Sequence, residues 1–237
     1  MDLKETDILG ESIDTHWYYI SKAKMLKKMT SSISDAKILD IGAGSAFFSK
    51  YLLSNTNATE CVCIDTSYAR DHEELIQGKP IAYRQNPSSY QANLVLLMDV
   101  LEHIEDDIAF LKDYVKHLPS GTHFFITVPA FQFLWSGHDI YLEHKRRYTI
   151  GQLREVVKKA GLVTEKQFYF YGLIFPIACI TRLLGRFTAK QTTAHSQLKK
   201  HHPITNFILS LLCQLEMSFM QLNTLAGLSV VCYAKKP

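Results

Sequence analysis

The stretch Lys37-Ile-Leu-Asp-Ile-Gly-Ala-Gly44 decides the fold. It is typical of a short buried strand that runs into a glycine turn, and a helix is predicted directly after it, over Ser45–Leu53. Glycines at such a turn let the chain bend tightly and let a ligand approach the backbone. The next predicted strand, Cys61–Asp65, ends in a carboxylate 21 residues beyond Gly44. A carboxylate there can accept hydrogen bonds from the ribose hydroxyls of an adenosine.

Other strands and helices alternate along the rest of the chain. Five more short apolar runs are predicted as strands: Ile81–Arg84, Leu94–Asp99, His123–Val128, Val163–Phe170 and Leu228–Ala234. Their nearly continuous apolar character is typical of a parallel sheet that is covered on both faces. Helices are predicted over 106–118 and 150–160, the second with Thr149 and Gln152 at capping-box spacing. We therefore predict one α/β domain over 1–237, with a Rossmann-like, doubly wound, mostly parallel sheet of seven strands.

Residues 171–225 interrupt this alternation and predict a helical insertion before the last strand. An apolar stripe along 203–222 and nearby basic residues leave three interpretations open: core packing, a homodimer surface, or a lipid-facing amphipathic element. Charge is also uneven, with 12 Lys and Arg against 18 Asp and Glu in residues 1–120, and 14 against 5 in 121–237. The basic half indicates an anionic acceptor, a membrane surface or nucleic acid, or else simple solvation of helix surfaces.

Amino-acid composition limits the class of protein and the cellular compartment. The apolar and charged fractions, 47% and 21%, are those of an ordinary globular protein and exclude a disordered chain or a membrane-spanning bundle. Five cysteines without metal-like spacing, and a charged N-terminus without a secretory signal, predict a reduced cytoplasmic protein. Peripheral attachment to the inner face of the membrane is the open alternative.

The glycine turn favours S-adenosylmethionine (SAM) over a dinucleotide. A dinucleotide fingerprint needs a third glycine so that pyrophosphate can sit on the helix N-terminus, and that position is Phe47. Asp40, ahead of the glycines, suits a cationic or zwitterionic ligand better than a diphosphate. An acidic residue, then G-x-G, then a ribose-binding Asp resembles the first two motifs of class I SAM methyltransferases.

A second segment, Met98-Asp-Val-Leu-Glu-His-Ile-Glu-Asp-Asp107, follows the fourth predicted strand at the carboxyl edge of the sheet. It resembles the "VLEHIxD" segment of small-molecule and lipid methyltransferases. The resemblance implies that Met98 and Asp99 lie near the cofactor and His103 near the transferred methyl group, unless His103 only caps a helix or supports other groups. DNA and RNA amino-methyltransferases carry an Asn/Asp-Pro-Pro-aromatic element after this strand. Here Asn86-Pro87 occurs earlier in the chain and lacks the aromatic residue, so no nucleic-acid substrate is predicted.

A third segment, Val128–Thr149, follows the fifth strand and gathers basic and aromatic residues beside the predicted site. Arginine offers fixed donors for phosphate or carboxylate, and histidine can act as a base near neutral pH. Acceptor binding is predicted for Trp135, Arg146, Arg147 and Tyr148. His103, His138 and His144 are the candidate catalytic bases. The alternative for Arg146 and Arg147 is a pair of salt bridges at the sheet edge, and no metal site is predicted because nothing fixes a ligand geometry.

Together these segments resemble bacterial class I SAM methyltransferases of the methyltransferase type 11/12 group, in a branch with "LWSxHD…HKRRY" after the fifth strand. The resemblance implies SAM as cofactor and a small-molecule, glycan or lipid-linked acceptor, methylated at oxygen. It also implies that residues 1–35, with Trp17, Tyr18, Tyr19 and Lys22, form a helical lid over the cofactor, with ordinary core packing of these aromatic residues as the open alternative. The cofactor-binding residues it implies are Asp40, Gly42, Ala43, Gly44, Asp65, Thr66, Asn86, Met98 and Asp99.

Two departures from the family pattern, and two rival functions, accompany this prediction. Ala46 replaces the last glycine of G-x-G-x-G, and the acidic adenine-contacting residue has no clear match, so that Gln85 or Asn86 would take its place. The chief rival is a non-catalytic SAM-fold scaffold or partner subunit. A nicotinamide oxidoreductase is the more distant one, because of Phe47.

Overall fold

The computed structural model describes residues 9–86, 91–185, 196 and 200–237. Within them, eight strands form one sheet in the order β3-β4-β2-β1-β5-β6-β8-β7. The strands are β1 Lys37–Ile41, β2 Glu60–Ile64, β3 His72–Ile76, β4 Lys79–Arg84, β5 Leu94–Met98, β6 His123–Pro129, β7 Val163–Phe170 and β8 Ser229–Lys235. Neighbours are parallel except that β3 pairs antiparallel with β4, and β8 with both β6 and β7. The predicted Rossmann-like, mostly parallel α/β fold is confirmed.

Helices cover both faces of the sheet. In the described part of the chain they are α1 Trp17–Thr30, α2 Phe47–Asn55, α3 Asp107–His117, α4 Gly137–Tyr141, α5 Ile150–Lys159, α6 Phe175–Gly185 and α7 Pro203–Glu216. Short 3-10 turns lie at Gly10–Thr15, Leu101–His103, Gln132–Leu134 and Met220–Leu222. The capping box predicted at Thr149 and Gln152 begins α5 as expected.

The two apolar cores lie on opposite faces of the sheet. Along β5, Leu94, Leu96 and Met98 join the core that contains α1 and α2, whereas Val95 and Leu97 join the core that contains α3 and α5. Alternate side chains of a strand point to opposite faces, so a strand that is apolar throughout serves both cores at once. All five residues of β5 are buried. The sheet therefore holds the carboxyl ends of β1, β2 and β5 in fixed positions.

The prediction of seven strands is wrong by one, because β3 adds an edge hairpin to the sheet. Four of the five residues of β3 are exposed, so the strand carries no apolar pattern that would have revealed it. Gln77 and Gly78 join β3 to β4 with φ angles of 52° and 79°. Positive φ at both central residues is typical of the tightest hairpin turns. An edge strand needs no second buried face, and this is why apolar runs alone missed it.

The insertion predicted over 171–225 leaves the sheet at the end of β7 and returns at the start of β8. Because β8 runs antiparallel to β6, both points lie at the edge where β1, β5 and β6 end. Glu216 fixes the insertion to the sheet by accepting hydrogen bonds from the N–H groups of Gly172 and Leu173 at 2.8 and 3.2 Å. In the described part of the chain, no helix is both long enough and apolar enough to cross a membrane. Residues 1–8 of the predicted lid, and most of the basic connector between α6 and α7, lie outside the described residues.

Candidate active site

The glycine turn after β1 has the geometry that only glycine adopts without strain. Gly42 and Gly44 have φ angles of +67° and +53°, in the left-handed region. The N–H of Gly42 donates to the carbonyl of Ile64 at 2.7 Å, which ties the turn to β2. A Cβ atom on Gly42 would lie 2.8 Å from Cγ2 of Val100. The turn is thus held between the ends of β2 and β5, and a side chain at Gly42 would displace it.

Asp65 lies just beyond β2 and faces the same turn. Its Oδ2 accepts a hydrogen bond from the N–H of Gly44 at 2.8 Å, and its Oδ1 accepts one from the N–H of Ser67 at 2.9 Å. Oδ1 also accepts a hydrogen bond from the Ser67 hydroxyl, so both of its lone pairs are used, whereas Oδ2 keeps one lone pair for a hydroxyl group of a ligand. These backbone bonds fix the orientation of the carboxylate before any ligand arrives.

Asp40 is buried beneath the turn and is only partly satisfied. Its Oδ2 accepts a hydrogen bond from the Ser49 hydroxyl at 2.6 Å, while Oδ1 is buried without a hydrogen-bond partner among the described residues. Burial raises the pKa of Asp40 to about 6, and the bond from Ser49 opposes that rise. A buried carboxylate oxygen without a donor is costly. The unpartnered carboxylate oxygen of Asp40 therefore fits a ligand that brings a positively charged group to this turn.

A cavity of about 560 Å³ opens at the carboxyl edge of the sheet. This volume lies within the usual range for sites of small ligands and cofactors. Its lining includes Gly42, Asp65, Thr66, Asp99, His103 and Lys145. Of the other predicted cofactor residues, Asp40, Ala43, Gly44 and Met98 are buried in or behind the turn and β5, and Asn86 is exposed at the end of β4, outside the cavity lining.

Asp99 connects the cavity to helix α1. Its Oδ2 accepts hydrogen bonds from the Tyr18 hydroxyl at 3.0 Å and from Nζ of Lys22, and its Oδ1 accepts one from the Thr127 hydroxyl at 2.9 Å. Burial alone would raise the pKa of Asp99, but the charge and hydrogen bond of Lys22 bring it down to about 2. Asp99 also has a φ of 58°, an uncommon conformation that is found preferentially at functional sites. Lys22 itself is fully buried, so this ion pair fastens α1 to the floor of the cavity.

Three groups with proton- or metal-binding atoms meet beside Asp99. Glu102, His103 and His144 bring such atoms within 4.8 Å of one another, and the two imidazole rings stand edge to face at 4.8 Å. Burial and the neighbouring His144 lower the pKa of His103 to about 4, so its ring is neutral at physiological pH. Glu102 is fully buried, and neither of its carboxyl oxygens has a hydrogen-bond partner among the described residues. Burial, with the nearby charge of Asp99, raises the pKa of Glu102 well above its ordinary value.

Asp139 anchors two of the predicted site residues away from the cavity. Its carboxylate accepts bonds from Nε and Nη2 of Arg147 at 2.7 and 3.0 Å, and from Nδ1 of His144 at 2.9 Å. Burial alone would raise the pKa of Asp139, but His144 and Arg147 hold it well below its usual range. Because an ionised carboxylate only accepts, Nδ1 of His144 carries the proton of this hydrogen bond.

The remaining predicted acceptor-binding residues lie beside the cavity but do not line it. Arg146 donates from Nη2 to the carbonyl of Glu105 at 2.7 Å, and the buried hydroxyl of Tyr148 donates to Asp107 at 2.6 Å. Trp135 and His138 are half-buried in the segment that carries α4. In the structure, both Arg146 and Arg147 therefore bond to protein groups. This agrees with the alternative interpretation of the two arginines as salt-bridge residues and not with acceptor binding.

The predicted site lacked three features of the structure: the pairing of Lys22 with Asp99, the buried acid Glu102 beside His103, and Lys145 on the cavity wall. The signal for Lys22 was its spacing of four from Tyr18, which places both side chains on one face of α1. Glu102 adjoined a predicted residue, but its burial depends on the tertiary structure. Lys145 stood in a run of three cations that sequence alone does not separate.

Comparison with known proteins agrees with this geometry. A family model for a methyltransferase domain matches residues 19–167, more than half of the chain, and the protein belongs to this family. No curated protein matches the chain significantly.

Solved structures share the fold at low sequence identity. A candidate methyltransferase from Bacillus halodurans C-125 has a TM-score of 0.58 and 14% identity over 92% of this chain and 99% of its own. A complex of the Haloferax volcanii Trm112 methyltransferase activator and a candidate methyltransferase has a TM-score of 0.57 and 15% identity, over 94% of this chain and 91% of its own. Coclaurine N-methyltransferase bound to N-methylheliamine and S-adenosylhomocysteine (SAH) has a TM-score of 0.57 and 9% identity, over 92% of this chain and 73% of its own. The fold is that of class I SAM-dependent methyltransferases, whereas the type 11/12 group and its branch stay predictions.

Proposed function

We propose that the protein transfers a methyl group from SAM to a hydroxyl oxygen of a small-molecule, glycan or lipid-linked acceptor. The observation that carries this proposal is the single cavity onto which Gly42, Asp65 and His103 all open. A turn for close backbone approach, a fixed carboxylate for ribose and a neutral base within one cavity form a set that methyl transfer to a hydroxyl requires.

The cofactor would be held by the turn and by the two acids beside it. Asp65 would accept hydrogen bonds from the ribose hydroxyls, and the unpartnered Oδ1 of Asp40 would face the positive end of the amino-acid portion. When bound, SAM supplies an electrophilic methyl group on a sulfonium. The protein supplies alignment and exclusion of water, and α1, fastened by Lys22 to Asp99, would act as the lid.

His103 is the base that the geometry favours among the three candidate histidines. It lines the cavity, while Nδ1 of His144 is bonded to Asp139 and His138 stands outside the cavity lining. Because its pKa is about 4, His103 is unprotonated at physiological pH and can accept a hydrogen bond from an acceptor hydroxyl; as a weak base it would take the proton only as the methyl group is transferred. His144 would position the ring of His103 through their edge-to-face contact. An acceptor that is already anionic would need no base, and Lys145 on the cavity wall would then bind it.

The test measures the release of SAH when the protein is incubated with SAM and each member of a panel of hydroxyl-bearing acceptors. His103→Ala should lower kcat by about 10²–10⁴-fold while SAH affinity stays within about twofold. His117→Ala is the matched control, because His117 is exposed on α3 and bonds only a backbone carbonyl in its own helix. Unchanged kcat in His103→Ala would remove the base from the proposal.

A non-catalytic SAM-fold partner subunit is the second candidate. The observation that favours it is the placement of Asn86, predicted to contact adenine, outside the cavity lining. One structural relative is described in complex with a methyltransferase activator, which is compatible with partner binding in this fold. Absence of SAM and SAH binding by the wild-type protein would favour this second candidate over the enzyme.

A further inference from the structure

Glu102 is a buried acid without the hydrogen bonds that such a group needs. Its side chain is fully buried, and neither of its carboxyl oxygens has a hydrogen-bond partner among the described residues. The buried ammonium of Lys22 is already paired with Asp99. The guanidinium of Arg147 is likewise paired with Asp139. A buried carboxyl group that lacks both donors and a paired cation is costly, and a bound ion is one of the partners that remove this cost.

Two imidazole rings bring nitrogen atoms to this acid. Glu102, His103 and His144 each offer a metal-binding atom within 4.8 Å of the other two, and the centroids of the two rings are 4.8 Å apart. The N–H of Lys145 donates to the carbonyl of Glu102 at 2.7 Å, which ties the segment of His144 to the turn that carries the other two residues. A metal ion lies about 2.0–2.2 Å from nitrogen and carboxylate ligands. Small rotations of the three side chains would therefore bring all of them to one ion.

Asp139 holds His144 in the tautomer that a metal ligand needs. Nδ1 of His144 carries the proton of its hydrogen bond to Asp139, so Nε2 is the ring nitrogen left with a lone pair for an ion. Metal-binding histidines usually donate their other N–H to a carboxylate or a carbonyl in this way. Asp139 is itself fixed by the guanidinium of Arg147 and by the N–H of Ser136, which donates to it at 2.8 Å. The pair is therefore typical of a metal centre.

We propose that Glu102, His103 and His144 bind one divalent transition-metal ion of the zinc type. Two imidazoles with one carboxylate suit Zn²⁺ and its neighbours, whereas Mg²⁺ and Ca²⁺ are bound mainly by oxygen ligands. Three protein ligands leave a coordination position open. His103 lines the cavity, so this position can take a water molecule or an oxygen atom of the acceptor. Binding of the ion goes beyond the proposed methyl transfer and does not depend on it.

The ion would change the role of His103 in the proposed reaction. Without the ion, His103 is the free base, whereas with the ion its lone pair is used in coordination. An acceptor hydroxyl at the open position then has a lowered pKa and gives its proton to water. Its oxygen forms the bond to the methyl carbon, and the sulfur of SAM keeps the electron pair of the bond that breaks. This consequence rests on the proposed function.

Calorimetric titration of the full-length protein with Zn²⁺, after a chelator has been added and removed, tests the site. Wild type should bind one ion per chain at this site at micromolar or lower concentrations. Glu102→Gln and His144→Ala should each lower the affinity at least about tenfold, because loss of even a supporting group of a metal site costs that much. His117→Ala is the matched control, since His117 is exposed on α3 and bonds a backbone carbonyl of its own helix. It should bind Zn²⁺ like wild type.

Urea denaturation and calorimetry with SAH separate the outcomes. Zn²⁺ should raise the urea midpoint of wild type and of His117→Ala but not that of Glu102→Gln, because a ligand that binds the folded site stabilises it. Wild type that binds no Zn²⁺ would overturn the proposal, even where SAH still binds. Equal binding by wild type, Glu102→Gln and His144→Ala would also overturn it, because the ion would then lie elsewhere. Zn²⁺ binding that depends on these residues, without SAH binding, would support the site while removing the proposed methyl transfer.

Discussion

Replacing Lys22 with methionine tests the ion pair that joins α1 to the cavity floor. The Lys22 side chain is fully buried, and its ammonium donates to Oδ2 of Asp99 and, at 2.9 Å, to the Tyr18 hydroxyl. Methionine preserves most of the volume but removes the charge, so Asp99 would keep a carboxylate without its cation. Removing one partner of a buried ion pair is strongly destabilising, because the other charge stays behind.

The expected magnitude follows from the pKa of Asp99. Its ordinary value is 3.8, and in the folded protein it is about 2, with Lys22 as the main stabilising influence against burial. At 1.36 kcal/mol per pKa unit, this difference corresponds to about 2 kcal/mol of stability. Because the folded-state pKa is depressed, the contribution is present above about pH 4 and is lost as the pH falls toward about 2.

Urea denaturation of a double-mutant cycle measures this coupling. The free energy of unfolding is determined for wild type, Lys22→Met, Asp99→Asn and the double variant. Because burial opposes Lys22 in setting the pKa of Asp99, we expect a coupling free energy of at least about 2 kcal/mol at neutral pH, which decreases as Asp99 is protonated. A coupling below about 0.5 kcal/mol, the level at which independent sites are additive, would refute the assignment of Lys22 as the partner of Asp99.

Three more predictions concern the glycine turn and the buried acids. Gly42→Ala should lose about 2 kcal/mol of stability from its left-handed φ and its contact with Val100, and Gly42→Ala/Val100→Ala should recover part of that loss in the same urea assay. Glu102→Gln should unfold at a higher urea concentration than wild type near about pH 8, but not near about pH 5. The reason is that the raised folded-state pKa of Glu102 makes the wild type less stable as the pH rises. A difference in unfolding free energy that stays constant with pH would contradict this. In calorimetric titrations, the affinity of wild type for SAH should rise as the pH increases through about 6, where Asp40 becomes ionised, and Asp40→Asn should lose this pH dependence. A wild-type affinity that does not change with pH would argue against Asp40 as the partner of the positive charge on the ligand.

The fold could be predicted from sequence because its main signals are local. The strands β1, β2 and β5 are apolar on both faces, and the turn after β1 needs glycine at fixed positions, so periodicity and turn chemistry were enough. The missed strand β3 lies at an edge and is mostly exposed, and the turn Gln77-Gly78 was the available signal for it. Edge strands bury little, and their pairing depends on the neighbouring strand.

The site was only partly predictable because its assembly is long-range. The segment after β5 placed Asp99 and His103 at the cavity, but the partner of Asp99 is Lys22, 77 residues away in the chain. Sequence likewise could not separate three adjacent cations: Lys145 lines the cavity, whereas Arg146 and Arg147 bond to protein groups. Neighbours in a loop diverge according to tertiary contacts, so the sequence analysis gave the acceptor-binding role to Arg146 and Arg147 and left out Lys145.

Calorimetric titration with SAH tests the central claim, that the turn after β1 and Asp65 hold a SAM-type cofactor, most directly. Wild type should bind SAH at micromolar concentrations, and Asp65→Ala should lose at least about tenfold in affinity because the ribose hydroxyls lose their acceptor. Glu60→Ala is the matched control, since Glu60 begins the same strand at its opposite end and pairs with Lys37 on the surface. It should bind SAH like wild type. No binding by wild type, or equal binding by Asp65→Ala, would contradict the claim.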